Sequence, residues 1–68
     1  MPSTVIREAR YDPDRAELHL TFTTGRYYIY HDVPQAEADR FRSAFAKGRY
    51  FNARIRDAYR FTEGEAAS

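Results

Sequence analysis

The stretch Tyr27-Tyr28-Ile29-Tyr30-His31-Asp32-Val33-Pro34 constrains this chain more than any other. It follows a turn glycine, Gly25, and is rich in residues that favour strands. It ends at a proline, which a central strand does not tolerate but the first turn of a helix does. A strand leading straight into a helix satisfies both ends. Upstream, Glu17-Leu18-His19-Leu20-Thr21-Phe22 alternates cleanly, with Leu18, Leu20 and Phe22 on one face and Glu17, His19 and Thr21 on the other. Thr23-Thr24-Gly25-Arg26 then closes a hairpin between the two strands.

Two registers are open for that hairpin. A two-residue loop at Thr24-Gly25 puts Leu20 opposite Ile29, with Tyr28 and Tyr30 on the other face. A three-residue loop with a glycine bulge shifts the pairing by one, so that Tyr28 and Tyr30 join the leucines and Ile29 points out. A one-residue slip exchanges the faces completely, and both faces of this strand are apolar.

At 68 residues the chain has room for one domain and one small core. Its branched aliphatics are few, so phenylalanines and several tyrosines have to be buried. A core of this size supports roughly 3–5 kcal/mol. There is no cysteine, hence no disulfide and no thiolate metal site. No apolar run approaches the roughly 20 residues that span a bilayer. No apolar stretch follows Met1-Pro2-Ser3-Thr4, so no secretory leader is expected, and the chain reads as a cytoplasmic monomer.

Val5 to Tyr11 is expected as a first strand, and Tyr11-Asp12-Pro13-Asp14-Arg15 as a turn held by aspartate side chains rather than a metal loop. The main helix is expected over 34–47. Asp32 and Gln35 fit a capping box; Ala38, Phe41 and Phe45 form its apolar stripe; Asp39 and Arg42 can pair; Lys47 and Gly48 read as stop signals. Phe51 to Arg56 fits a short second helix and Tyr59-Arg60-Phe61 an extended end. The acidic segment 62–68 reads as a frayed, disordered tail, leaving 1–61 as the domain. The expected fold is α+β: a three-stranded antiparallel sheet packed against one main helix, plus a short C-terminal helix.

Charge is uneven along the chain. Residues 1–34 carry −1, residues 35–61 carry +4 and residues 62–68 carry −2. The basic part concentrates in Lys47-Gly48-Arg49-Tyr50-Phe51-Asn52-Ala53-Arg54-Ile55-Arg56, where cations interleave with aromatics. Phosphate binding needs long cationic arms, and base stacking needs flat side chains beside them. Candidate contacts are Lys47, Arg49, Arg54 and Arg56 for phosphate, Tyr50 for stacking, and Asn52 as a polar contact. Tyr28 and Tyr30 alternate on a strand as in sheet-based RNA modules. The structural alternatives are a solvated basic face and core tyrosines. His19 and His31 are the only histidines, and no third group is evident to orient either, so no enzyme, cofactor or metal is expected.

The order Tyr11-Asp12-Pro13, Leu18-x-Leu20-x-Phe22-x-x-Gly25, Tyr28-x-Tyr30-x-Asp32-Val33-Pro34, Lys47-Gly48-x-Tyr50-Phe51-Asn52-x-x-Ile55-Arg56 and Tyr59-x-Phe61 resembles the KTSC domain, named for its occurrence at the C-terminus of some lysyl-tRNA synthetases. The likeness runs from about Ser3 to Phe61. It implies a stand-alone bacterial single-domain protein, with RNA binding suggested by the company of a synthetase. Family members often carry a polar residue between the two tyrosines, which implies inward-facing Tyr28 and Tyr30; Ile29 departs from that habit. Tyr59-Arg60-Phe61 replaces a Tyr-Pro-Tyr-like element, so the last turn is expected to differ. The function expected is a small nucleic-acid-binding module for RNA. The alternatives are a protein-interaction adaptor with an aromatic edge and, third, a small-ligand pocket between sheet and helices.

Overall fold

Residues 6–64 are described by the structure, a computed structural model. Its sheet is antiparallel with strand order β1-β2-β3-β4: β1 is Ile6–Asp12, β2 is Glu17–Phe22, β3 is Tyr27–Tyr30 and β4 is Phe61–Gly64. Between β3 and β4 lie helix α1 (Gln35–Ser43) and a short helix α2 (Lys47–Tyr50) that widens into a π-helical turn over Phe51–Ile55. The class is α+β, with four strands where three were expected.

The hairpin uses the three-residue loop. The Phe22 amide donates to the Arg26 carbonyl at 2.9 Å, the Gly25 amide to the Phe22 carbonyl at 2.9 Å, and Gly25 holds φ at 94°. Only a residue free of a Cβ adopts that angle without strain. The resulting pairs are Leu18 with Tyr30 and Leu20 with Tyr28, so both tyrosines share the leucine face. Ile29 pairs with His19 on the opposite face.

The β1–β2 turn is built by the aspartate, as expected: Asp12 Oδ1 accepts from the amides of Asp14 at 3.0 Å and Arg15 at 3.4 Å. Val33 is wholly buried and tied at both backbone atoms. Its amide donates to the Ala16 carbonyl at 2.9 Å, and its carbonyl accepts from the Tyr11 hydroxyl at 2.6 Å. This fixes the exit of β3 against the β1–β2 turn. Asp32 forms no capping box. It takes a left-handed conformation, φ 57°, and its carboxylate pairs with Arg60 at 3.1 Å. Aspartate is among the few residues that tolerate this conformation. Pro34 caps α1 with no side-chain bond.

Helix α1 stops short of its expected end. Ala44 turns extended, ψ 135°, and its amide closes a tight bond to the Phe41 carbonyl at 3.1 Å. Phe45 therefore leaves the apolar stripe and stands fully exposed at 106%. Lys47 and Gly48 do not end the first helix but begin the second. The break lets α2 and its π-turn fold back, so that Phe51 and Ile55 join the core with Leu18, Leu20, Tyr30 and Phe41. The π-turn is closed by the Arg56 amide donating to the Phe51 carbonyl, five residues back, at 2.9 Å.

The fourth strand comes from the segment expected as extended chain and tail. Tyr30 pairs with Phe61, Ile29 with Thr62 and Tyr28 with Glu63. The His31 amide extends this ladder to the Arg60 carbonyl at 2.8 Å. Acidity does not prevent it, because Glu63 is exposed and meets Arg26 at 3.2 Å. The rest of the expected tail, 65–68, and Val5 of the expected first strand lie outside the described residues.

Candidate nucleic-acid interface

The tyrosines proposed as stacking platforms belong to the core side of the sheet. Tyr30 is 4% exposed, so it offers no face to a base. Burial also raises its phenol pKa, the largest of the causes acting on it. Tyr28 is half-buried. Its ring sits 5.4 Å from Phe22 and 5.4 Å from Phe61, and Phe61, on the β4 edge, is half exposed at 52%. These rings form an aromatic ladder whose Tyr30–Phe51 end is closed by the helices.

Tyr50 is likewise committed to packing. It is half-buried against the core, with its ring 6.2 Å from that of Phe41. Its hydroxyl donates to Glu37 Oε2, and the Tyr59 hydroxyl donates to Glu37 Oε1 at 3.3 Å. Glu37 on α1 is thus held by two phenols from the segments that follow it. The hydrogen bond to Glu37 raises the Tyr50 pKa, with burial second. Burial comes first for Tyr59, followed by the charge of Glu37. Asn52 is half-buried in the π-turn.

The cations behave differently. Lys47, Arg49, Arg54 and Arg56 are all exposed, and among the described residues none is ion-paired with a carboxylate. Lys47 Nζ only donates to the Ala44 carbonyl at 3.2 Å. Arg42 is also exposed, and its expected ion pair with Asp39 is absent from the described residues. Glu37, which reaches this segment through Tyr50, is engaged by phenols. Unpaired guanidiniums on a helical segment are free to meet an external anion.

A groove brings one of the four candidate cations, Lys47, together with Arg42, and Arg49, Arg54 and Arg56 do not line it. It is about 400 Å³ and lies between β1 and α1. Ile6, Leu18, Ala38 and Phe41 line its apolar part, Arg42 and Lys47 stand on its helical wall, and the β1 segment from Arg7 to Arg10 forms the other wall. Arg7 and Arg42 carried no sequence signal as site residues, because only folding sets the first strand beside the helix. Phe45 carried a misleading one, its spacing from Phe41.

The histidines meet on the opposite face of the sheet. Glu17 lies between them, with Oε1 3.1 Å from His19 Nε2 and Oε2 3.8 Å from His31 Nδ1. Glu17 is the orienting group that the sequence did not reveal. A carboxylate only accepts, so His19 carries its proton on Nε2, and its Nδ1 accepts from the Tyr27 hydroxyl when the ring is neutral. His31 Nε2 meets Thr62 Oγ at 2.8 Å. The chain of contacts staples β2, β3 and β4. Among the described residues no three His, Cys, Asp or Glu side chains are grouped to hold a metal ion. No described helix is long and apolar enough to cross a membrane.

Comparison with known proteins places this geometry in context. The family model of the KTSC domain matches residues 2–59. A protein of Tsukamurella paurometabola is 36% identical over 58 residues, covering 85% of this chain and 87% of that protein. The crystal structure of a KTSC domain protein from Yersinia pestis superposes with a TM-score of 0.84 at 32% identity, covering 93% of this chain and 87% of that one.

Proposed function

Since the chain belongs to the KTSC domain family, we propose that it works as a small nucleic-acid-binding module, with RNA as its partner. The observation that carries this is that, among the described residues, Lys47, Arg49, Arg54 and Arg56 make no ion pair with a carboxylate, while Glu37 is taken up by tyrosine hydroxyls. Phosphate contacts come from long cationic arms and supply most sequence-independent affinity. In this reading Tyr28, Tyr30 and Tyr50 shape the fold, and the arginines meet the ligand. Amide-shift mapping with a short mixed RNA and, separately, inorganic phosphate tests it. Shifts confined to 42–56 with RNA, and weaker ones at the same amides with phosphate, are expected. Shifts spread evenly over the surface, or none at low salt, contradict it.

A second reading, a protein-interaction adaptor, draws on the exposed rings of Phe45 and Phe61. Aromatic and arginine side chains are common interface anchors. Pull-down with and without nuclease separates the two, because a protein contact survives digestion of the RNA.

A further inference from the structure

The groove between β1 and α1 exists because small side chains stand on both of its walls. Ala9 pairs with Leu20, which puts it on the helix side of the sheet, and it remains exposed there. Ala38 of α1 also lines the groove. Larger residues at these two positions would close the gap. The space left, about 400 Å³, lies within the range of small-ligand sites and has an apolar floor. Arg42 and Lys47 stand at its α-helical side, and Phe45, fully exposed, lies between them in the chain. A slot for a flat ring, cations beside it and an exposed ring between those cations in the chain are the parts of a single-strand binding site.

We propose that this groove takes one unpaired base of a single-stranded RNA, with flanking phosphates on Arg42 and Lys47 and the neighbouring base stacked on Phe45. This rests on the RNA reading above and extends it from phosphate contact to selection for single strands. A base held in a duplex stays stacked between its neighbours and does not enter such a slot. An acidic peptide would find the same cations, but it has no use for Phe45 as a stacking platform. Arg42 and Lys47, the cations on the groove's helical wall, suit a polyanion.

The test is a fluorescence-anisotropy titration of the full chain, at low salt, with a labelled single-stranded oligoribonucleotide and with a hairpin duplex of the same length. Single strands are expected to bind at least about five-fold tighter than the duplex. Phe45→Ala is expected to weaken single-strand binding by about five-fold or more, the loss typical of one stacking platform, and to leave duplex binding unchanged. Ala9→Phe, which fills the groove, is expected to do the same. If that variant fails to fold, Phe45→Ala and Arg42→Ala decide the matter, since both alter exposed side chains. Should Arg49→Ala/Arg54→Ala weaken binding while Phe45→Ala and Arg42→Ala do not, phosphate contact by the second helix stands and the base slot is wrong. Equal binding of single strand and duplex also overturns the slot. Binding of neither RNA overturns both, and displacement of RNA by an acidic peptide at lower concentration assigns the groove to a protein partner instead.

Discussion

Tyr30 and Phe45 show how a single position is read correctly or not. Each is an aromatic at a regular spacing, yet one is 4% exposed and the other 106%. What separates them is a turn: a three-residue loop puts Tyr30 inside, and an early helix end puts Phe45 outside. Tyr30→Ala is expected to cost about 3–5 kcal/mol, the usual loss for a buried ring, which is enough to unfold a domain of this size. Phe45→Ala is expected to move the urea midpoint by no more than about 0.5 kcal/mol equivalent. Urea unfolding of the two variants checks this. Comparable losses at both positions would contradict the burial pattern.

The phenols around Glu37 give a second test at this scale. Tyr50 and Tyr59 are both raised above their ordinary 10.0 in the folded chain, Tyr50 first by its bond to Glu37 and Tyr59 first by burial. Above about pH 10 the folded chain therefore holds protons that the unfolded chain has released, and stability falls as pH rises. Their contribution is whole below about pH 10 and is lost as pH climbs through the folded-state values. Urea midpoints measured across that range should decline, and Glu37→Gln should flatten the part due to Tyr50. An unchanged slope in Glu37→Gln would remove Glu37 as the cause.

Among the elements, the two inner strands were legible because alternation and a glycine turn are local signals. The choice of register was not local. It depended on whether Gly25 closed a two- or three-residue loop, and the structure gives the latter. Gly25→Ala is expected to cost about 1–2 kcal/mol, because an L-residue is forced to φ 94°. The end of α1 was missed because Lys47 and Gly48 are good stop signals, while Ala44, where the helix turns, carries none. β4 was missed because its residues are polar and acidic; its pairing is provided by β3, which cannot be seen from β4 itself. Hydrogen exchange checks this strand directly. The His31 amide, bonded to the Arg60 carbonyl at 2.8 Å, is expected to be protected, and free exchange there would contradict the fourth strand.

At the scale of the whole molecule, one face of the sheet is closed by helices, leaving cations on the helical side and a histidine–glutamate staple on the other. The basic segment was visible in the sequence as composition. That its cations make no ion pair among the described residues was not, since pairing depends on where Glu37, Asp39 and Glu63 end up after folding. The groove was invisible for the same reason: its walls come from the first strand and the first helix, which only the tertiary fold brings side by side. The most direct measurement is the salt dependence of single-stranded RNA binding by the native chain and by Arg49→Ala/Arg54→Ala. With about four phosphates neutralised, the log–log slope is expected near −3 for the native chain, and shallower by about 1.4 in the double variant with its urea midpoint unchanged. A flat salt dependence, or an identical slope in the two proteins, would contradict phosphate recognition by these arginines.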